Sequence, residues 1–228
     1  MQQIKTIDIP LDQLTDIEEL FFRQIRMDAA KAIEKFSSLI DKTKKISLAT
    51  INCQGIFGIF QIENSNDGTL RINGGEILKS AMLAEVLNKS EQLAIFAITA
   101  HGYESLDEKA GTLIEKLFYD AWGTALIEAA TTWLQGHIKT LLSDKGFHMT
   151  CSWSPGQHNV SIGLQHTVFR MIHPQQIGIS LDTNMMMHPK KSGTGICGIS
   201  RDPSLTSARA CDFCTLRKSC PSAYAVKS

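Results

Sequence analysis

The chain has 228 residues, of which 43% are hydrophobic and 20% charged, a composition typical of a globular protein with a sizeable core. Its 23 Lys and Arg balance 23 Asp and Glu, which leaves no electrostatic argument for a nucleic-acid or anionic-membrane partner. Neither a bilayer-length apolar run nor an N-terminal secretory signal is visible, so a cytoplasmic protein is expected.

The first forty residues predict an extended segment followed by a helix. Residues 4–14 alternate apolar and polar side chains, which indicates a strand or an extended arm. From residue 16 to residue 40 apolar side chains recur every three or four positions, which predicts an amphipathic helix with a candidate break near Met27.

The next segment predicts two strands, a helix and a third strand. Residues 46–52 (ISLATIN) and 56–63 (IFGIFQIE) favour strands, and a short turn at residues 53–55 is expected to join them. A helix is predicted around residues 79–87, and the apolar run QLAIFAIT at 92–99 predicts a buried strand.

A long helix is predicted from residue 105 to residue 146. Ser105 followed by Glu108 has the spacing of a capping box, apolar residues then recur at helical spacing to Leu142, and Gly146 is the expected stop. Three glycines inside it would each weaken a helix by about 1 kcal/mol relative to Ala, so they indicate close packing, a kink or two separate helices. They are Gly111, Gly123 and Gly136.

Turn residues and short apolar segments alternate in the last third of the chain. Residues 152–159 (SWSPGQHN) predict a turn-rich loop, residues 162–172 a helix and residues 177–182 a strand. A Met-rich segment then breaks at Pro189 and resumes as a Gly-rich strand. Because helices and strands are segregated along the chain, the predicted fold class is α+β.

Three of the six cysteines stand near the C-terminus with the spacing C-x2-C-x5-C: Cys211, Cys214 and Cys220. A C-x2-C pair can place two thiolates on one metal centre, and a third thiol a short loop away can reach the same centre. Zinc sites more often split into two separated pairs, so the spacing favours a [4Fe–4S] cluster, with zinc as the alternative. A disulfide or free thiols in the tail are the interpretations without a metal.

The spacing shows no clear fourth ligand. Cys197 is the first candidate, and the alternatives are Cys151, Cys53, a non-cysteine group or no protein ligand. Arg217 and Lys218 lie inside the cysteine loop, where their positive charge would favour thiolates.

Other candidate binding residues lie on the long helix and in the last third. Glu128 interrupts the apolar stretch ALIEAATTWL, where a carboxylate either faces water or meets a cation in a pocket. The Pro-Gly dipeptide at residues 155–156 by itself indicates only a surface turn. The methionines at 185–187 offer soft surface for a flat apolar ligand or fill the core, and Lys190 and Lys191 could meet an anionic group or water.

These segments occur in an order that resembles the reactivation domain of vitamin B12-dependent methionine synthase. The matching elements are the SPG turn, the helix LQHTVFRMI and the segment IGISLDTNMMMHPKKSGTGICGIS, with LAIFAITAHG and ALIEAA upstream. The resemblance covers residues 70–199 well and residues 1–70 loosely. The C-terminal cysteines are similar to the tails of stand-alone relatives that are thought to accompany corrinoid methyltransferases. We therefore divide the chain into a domain, residues 1–200, and a cysteine-rich tail, residues 201–228.

The resemblance implies a curved α+β domain built around a twisted antiparallel sheet flanked by helices. It also implies a function: in methionine synthase this domain binds S-adenosylmethionine, caps the cobalamin domain and takes part in the reductive methylation of inactive cob(II)alamin. Carried over to this chain, it places the SPG turn, a helix carboxylate and the methionines near these ligands. The candidate residues are Glu128, Ser154, Pro155, Gly156, Gln157, Met186 and Lys191.

Two departures weaken the expected S-adenosylmethionine site. Ser152 stands where the family has an Arg that binds the methionine carboxylate, and Gln157 stands where it has a Tyr. Without the Arg the carboxylate loses a bidentate, charge-assisted contact, for which Lys190 or Lys191 is the candidate substitute. The D-x-H-x-x-G motif of cobalamin-binding domains is absent from the sequence, so a corrinoid must arrive on a partner protein.

The sequence therefore predicts an accessory protein that docks on a corrinoid protein or corrinoid methyltransferase and supports its reductive reactivation. A cluster on the C-terminal cysteines would relay the electron, since [4Fe–4S] clusters reach low potentials. The alternative is a small-molecule or corrinoid binding module whose zinc or iron–sulfur site is purely structural. An independent S-adenosylmethionine-dependent methyltransferase is disfavoured, because the sequence has no Gly-rich Rossmann loop.

Overall fold

An antiparallel sheet of seven strands, with helices on both faces, organises the part of the chain that the structure describes. The computed structural model describes residues 4–207, 209–215 and 217–219, so Cys220 lies outside the described residues. The helices are α1 (Ile17–Ile25), α2 (Ala29–Thr50), α3 (Ala81–Val86), α4 (Tyr103–Lys109), α5 (Leu113–Ser143) and α6 (Leu164–Ile172). The strands are β1 (Lys5–Ile9), β2 (Asn52–Asn66), β3 (Thr69–Ile72), β4 (Ile77–Lys79), β5 (Gln92–His101), β6 (His148–Met149), β7 (Ser180–Leu181), β8 (Met187–His188) and β9 (Ser192–Ser200).

The strand order of the main sheet is β4–β3–β2–β5–β9–β6. β1 pairs with the first half of β2, on the side that β3 occupies further along. β2 pairs with β5 from Asn52↔His101 to Gln61↔Gln92, and β5 pairs with β9 from Gln92↔Ile199 to Thr99↔Ser192. Long antiparallel strands twist against one another, and here the sheet is curled into a half barrel.

The two faces of the sheet bury different cores, because successive side chains of a strand point to opposite faces. On one face Phe57 and Phe96 pack with Leu134 of α5. On the other face Ile56 and Ile95 belong to the core that includes residues of α3 and α6. Burial of each such side chain stabilises the fold by about 1.5–3 kcal/mol, so the packing of helices on both faces of the sheet contributes to stability.

A third core joins the helices α1, α2 and α5. Phe21 of α1 stacks on Trp122 of α5, with ring centroids 3.9 Å apart and planes 13° from parallel. The Trp122 indole N–H donates to the hydroxyl of Thr43 in α2 at 3.2 Å, in a fully buried position. The hydroxyl of Thr43 in turn donates to the Leu39 carbonyl at 2.8 Å, so this small network is complete.

Several predicted elements are confirmed. The mixture of helices with an antiparallel sheet is the predicted α+β class, and β5, α3 and α6 lie where the apolar patterns place them. The break near Met27 separates α1 from α2, and the Asp28 side chain begins α2 by accepting the Lys31 N–H at 3.1 Å. Among the described residues no helix is long and apolar enough to cross a membrane.

The predicted strand at residues 46–52 is wrong, because α2 continues to residue 50. Its β-branched side chains favour a strand, but Thr43 and Ser47 repeat at helical spacing and are buried where α2 packs. The predicted turn at residues 53–55 is also wrong, since these residues lie inside β2. A Cβ on Gly55 would stand 2.9 Å from Leu134 Cδ2, so this glycine lets α5 approach the sheet.

The helix predicted from residue 105 is two helices, α4 and α5. Ser105 lies inside α4, where its hydroxyl donates to the Gly102 carbonyl at 2.8 Å, so the predicted capping box is wrong. The cap belongs to Thr112, which accepts the Glu115 N–H at 3.2 Å. The Glu115 carboxylate accepts the Gly111 N–H at 2.9 Å. Close packing, a kink and two separate helices are the three explanations for the glycines. Gly111 fits the third, since it lies between α4 and α5.

We expect Thr43→Val to lower the free energy of unfolding by about 1–3 kcal/mol, because it leaves the buried Trp122 N–H without an acceptor. Valine keeps the shape and β-branching of Thr43, so helix propensity changes little. Urea denaturation provides the measurement. Thr132→Val is the control, since it removes a hydroxyl-to-carbonyl bond on an exposed face of α5 and should change stability by about 0.5 kcal/mol or less. Equal losses in the two variants would contradict the role of the network.

Candidate functional site

The SPG turn lies between β6 and α6 and is closed by backbone hydrogen bonds. Gln157 donates to the Ser154 carbonyl at 3.0 Å. The Gly156 N–H donates to the Val160 carbonyl at 2.9 Å, and the Val160 N–H donates to the Gln157 carbonyl at 2.8 Å. Gly156 has a φ of 86°, which glycine adopts without strain. The N–H groups of Gly156 and Gln157 and the carbonyls of Ser154 and Gln157 are therefore all used within the turn.

The segment before the SPG turn pairs with β9 beside Gly195, a position without a side chain. Trp153 and Ile196 exchange two backbone hydrogen bonds, each of 2.9 Å. An added Cβ on Gly195 would lie 2.3 Å from Ser152 Oγ and 2.4 Å from the Phe96 ring. The glycine therefore allows the loop and the sheet to meet.

A C-terminal segment, residues 210–215, packs against this loop. The Phe213 ring lies 5.5 Å from the Trp153 ring at an interplanar angle of 66°. The Asn159 amide donates to the Phe213 carbonyl and its oxygen accepts from the Thr215 hydroxyl, both at 3.4 Å. The first residue of the segment is buried in the core beneath α6. The loop and the segment thus form one junction.

Two buried polar atoms at this junction have no hydrogen-bond partner in the described part of the chain: Trp153 Nε1 and His158 Nδ1. Their rings meet edge to face, with centroids 6.2 Å apart. Burial lowers the pKa of His158 below its usual value, so the imidazole is neutral near neutral pH. A buried donor without an acceptor costs about 1–3 kcal/mol, so a ligand or a water bound here would be stabilised.

Glu128 faces α1 and is already paired there. Its carboxylate forms an ion pair with Arg23 and accepts from Gln24 Nε2 at 3.0 Å. The Glu128 and Arg23 side chains are 38% and 50% exposed, so the pair contributes about 0–1 kcal/mol. The ligand contact at Glu128 stays a prediction, for which a ligand must compete with α1.

Lys191 is held by the two helices α4 and α5. Its Nζ lies 2.7 Å from the Asp120 carboxylate and 2.8 Å from the Thr124 hydroxyl. It also lies 4.7 Å from the centroid of the Tyr103 ring, and burial and Asp120 raise the pKa of that phenol. The Lys191 side chain is only 14% exposed, so Asp120 already balances its charge. The anion contact at Lys191 likewise stays a prediction.

Met186 projects from the tip of the small β7–β8 hairpin. β7 is two residues long, shorter than the strand predicted at residues 177–182. Asp182 accepts backbone N–H groups inside the hairpin, which lowers its pKa. Met186 is 60% exposed, whereas Met187 is partly buried with its sulfur 3.9 Å from Gln165 Nε2 of α6. The methionines are therefore divided between surface and core.

The described cysteines occupy two environments, and no disulfide joins them. Cys53 and Cys197 are buried in the core under α5, where burial raises the pKa of each thiol to about 12. Cys151, Cys211 and Cys214 are partly exposed. Within the described residues no three His, Cys, Asp or Glu side chains stand close enough together to hold a metal ion. The predicted metal ligands therefore stay a prediction.

The structure unites two predicted features and separates others. The SPG turn and the C-terminal cysteine segment meet at one junction, whereas Glu128 and Lys191 have partners of their own on α1 and α5. Sequence reasoning missed Trp153 and Asn159, which make the contacts of this junction. The Asn159–Phe213 bond joins residues 54 positions apart, so the one local signal was an aromatic residue beside the SPG turn.

Comparisons with known proteins support the fold. No protein-family model matches the chain, and no curated protein matches it. Among solved structures the chain is similar to a crystal structure described as the MetH reactivation domain bound to AdoHcy, with a TM-score of 0.68 and 14% sequence identity. The match covers 91% of this chain and 80% of that chain. At this identity the comparison shows a shared fold, and the predicted curved α+β architecture is confirmed.

We expect Gly195→Ala to destabilise the protein by about 1–3 kcal/mol and to displace the loop, because the methyl group overlaps Ser152 and the Phe96 ring. Urea denaturation measures the loss, and a crystal structure of the variant reports the position of the loop. Gly193→Ala is the matched control on the same strand, since its Cβ would make an ordinary contact of 3.6 Å with Ile98. Similar stabilities for both variants would show that the loop does not depend on Gly195.

Proposed function

We propose that the protein is a cytoplasmic accessory protein of a corrinoid-dependent methyltransferase or methionine synthase system. Its role is to dock on the corrinoid-carrying partner and to support reductive reactivation of the corrinoid. The observation that carries this proposal is the fold, which is similar to the MetH reactivation domain over 91% of the chain. Because one fold can serve many functions, the surface around the SPG turn supplies a second argument.

Exposed apolar side chains flank the N-terminal end of α6 and form the proposed docking surface. Ile162, just before α6, is 42% exposed, and Met186 is 60% exposed. Met187 brings the methionine hairpin to the first turn of α6 through its contact with Gln165. Methionine is flexible and polarisable, so such a surface can adapt to a flat corrinoid and its carrier.

S-adenosylmethionine is the proposed methyl donor, and the chain is expected to hold it weakly. The solved neighbour is described as bound to AdoHcy. In this chain Ser152 cannot form a bidentate ion pair with a carboxylate. Glu128 and Lys191 are already paired with Arg23 and Asp120, which reduces what they can give to a ligand. We infer that the donor is bound mainly when the partner closes over it.

Reactivation requires one electron and one methyl group. A low-potential donor reduces Co(II) to Co(I), and the Co(I) electron pair then takes the methyl group from the sulfonium, which leaves methyl-Co(III) and AdoHcy. In this proposal the protein positions the reactants and keeps water away from the cobalt. A [4Fe–4S] cluster on the C-terminal cysteines would pass the electron. If the cysteines hold zinc instead, the metal is structural and the donor must reach the corrinoid directly.

Calorimetry with S-adenosylmethionine tests the weakened site. We expect a dissociation constant weaker than about 100 μM, which corresponds to about −5.5 kcal/mol or less favourable. Gly156→Val forces a β-branched residue to a φ of 86° and should abolish the remaining binding. Gly74→Val, at a φ of 104° in the turn between β3 and β4, is the matched control. A low-micromolar constant would contradict the weakening that we assign to Ser152.

The function itself is tested with the isolated cobalamin-binding module of a methionine synthase, held as cob(II)alamin with S-adenosylmethionine and titanium(III) citrate. We expect the protein to raise the initial rate of methylcobalamin formation by about tenfold or more, a barrier change of about 1.4 kcal/mol. Visible absorbance follows the reaction. Equal rates with and without the protein would refute the proposed role.

Two methionine variants locate the docking surface in the same assay. Met186→Glu places a charge on the proposed surface and should remove most of the acceleration, because the charge must be desolvated on docking. Met27→Glu is the control, since Met27 is 38% exposed but lies between α1 and α2. Identical behaviour of the two variants would show that the surface beside α6 is not the docking site.

A further inference from the structure

We infer that Gln165 is a positioning residue for the proposed docking surface: its buried side-chain amide holds the methionine hairpin, residues 180–188, against α6. The hairpin carries Met186, which is 60% exposed and belongs to that surface. The positioning itself is a property of the free chain. Its consequence for docking rests on the proposed function.

Gln165 is a polar residue in a core position. It lies in the first turn of α6 and is 2% exposed, and Leu164 and Val168 of the same helix belong to the core on that face of the sheet. Burial of a side-chain amide is unfavourable unless its oxygen and nitrogen find partners. An apolar residue would fill this place without that cost, so the partners of the amide are what distinguishes a glutamine here.

The two ends of the amide contact two different elements. Its Oε1 accepts a hydrogen bond from the Thr194 hydroxyl of β9 at 3.0 Å. Its Nε2 lies 3.9 Å from Met187 Sδ of β8. Because Gln165 itself belongs to α6, one side chain joins the helix, the main sheet and the hairpin.

Thr194 fixes the orientation of the amide. It is 5% exposed and lies opposite Ala97 in the pairing of β9 with β5, so the main sheet sets its position. The hydroxyl can donate to Oε1 but not to Nε2, which is itself a donor, so it selects one of the two ways that the amide can face. Nε2 is thereby directed to Met187.

Both ends of the hairpin are anchored to the rest of the molecule. Before it, Ile179 is fully buried, and its N–H donates to the Pro174 carbonyl at 3.1 Å. After it, the Lys190 N–H donates to the Glu104 carboxylate of α4 at 2.8 Å. The hairpin is therefore fixed at its base, and what remains to be fixed is how closely its tip lies to α6.

Bonds within the hairpin give it its shape but do not place it against α6. Leu181 pairs with Met187 across β7 and β8, and the Asp182 carboxylate accepts two N–H groups, one of them that of Met186 at 3.0 Å. Leu181 also packs on the core, but apolar contacts have no preferred direction. The polar contact between Gln165 and Met187 supplies that direction.

The contact with sulfur acts through what its loss would leave behind. A thioether is a weak acceptor, so the bond alone contributes little to stability. If Met187 moves away, however, a buried N–H group loses its partner, and such a loss costs more than the bond itself contributes. Displacement of the hairpin is therefore disfavoured, and Met186 stays at the N-terminal end of α6.

Hydrogen peroxide tests the positioning in the free chain, because it oxidises accessible methionine sulfur to the sulfoxide. We expect Gln165→Leu to raise the oxidation rate of Met187 by about tenfold, toward that of the exposed Met186, since the sulfur is released from α6. Peptide mass spectrometry with fragmentation measures each rate. An unchanged rate at Met187 would refute the inference.

Two controls show whether the effect is local. Gln176→Leu makes the same substitution at an exposed glutamine just after α6 and should leave the rate at Met187 unchanged. Met149 and Met171 are buried and should stay protected in both variants. Equal acceleration at Met187 in the two variants would show that the Gln165 amide is not responsible.

Thr194 provides a conservative pair of variants that separates positioning from stability, and it decides the question if Gln165→Leu unfolds the chain. Thr194→Val keeps the shape but removes the hydroxyl that orients the amide, so Met187 should oxidise faster. Thr194→Ser keeps the hydroxyl and should protect Met187, although loss of a buried methyl group lowers the stability that urea denaturation measures. Oxidation rates that follow the loss of stability instead of the loss of the hydroxyl would overturn the inference.

The assay with the isolated cobalamin-binding module connects the positioning to docking. Gln165→Leu should raise the protein concentration that gives half of the acceleration by about tenfold and leave the rate at saturation unchanged. Combined with Met186→Glu it should have little further effect, because both changes act on one contact. Additive effects would show that Gln165 does not act through Met186. If the unmodified chain gives no acceleration, the proposed function fails, whereas the oxidation rates still decide whether Gln165 positions the hairpin.

Discussion

The loop that carries the candidate site can pack on the sheet because Gly195 of β9 has no side chain. At Gly195 the Ser152 hydroxyl and the Phe96 ring together occupy the space of a Cβ, and at Gly198 the Ser90 hydroxyl comes within 2.2 Å of that position. Interiors are close-packed, so an added methyl group must displace either the loop or the sheet. The pairing of β9 with β5 fixes the strand itself. The sheet therefore sets the position of the SPG turn, and the turn sets the position of the C-terminal segment that packs on it.

The charges near the site are balanced within the protein, and this shapes what the site can bind. Glu128 is paired with Arg23, and Lys191 is paired with Asp120. A zwitterionic ligand would have to compete with these partners and gains little by doing so. The junction of loop and segment offers two uncharged groups instead: the indole N–H of Trp153 and the neutral imidazole of His158. The indole N–H is a donor, so an acceptor atom of a ligand or a water would remove the cost of leaving it unpaired.

Local sequence patterns predicted the elements that are governed by their own periodicity, and they failed where a tertiary contact decides. The continuous apolar run of β5 and the break near Met27 follow from local composition alone. Residues 46–50 have β-branched side chains, yet burial of one helical face outweighs that preference. Glycine is common in turns, but Gly55 lies inside β2. The Leu134 side chain of α5 occupies the space that a Cβ at this position would fill. The capping spacing at Ser105 has no effect, because α4 begins two residues earlier, at Tyr103. Thr112 does cap a helix, because α5 begins directly after it.

The chemistry of the candidate site follows from residue types, but its assembly does not. An SPG turn and a C-x2-C pair are visible in the sequence, whereas the bond between Asn159 and Phe213 spans 54 residues and has no periodic signal. The sequence names Cys197 first among the candidate partners of the C-terminal cysteines, but it does not show that Cys197 and Cys53 are buried whereas Cys151 is partly exposed. Because Phe213 covers Trp153, the segment cannot leave without exposing a buried indole, which costs free energy. The SPG turn and residues 210–215 are thus held together as one structural unit.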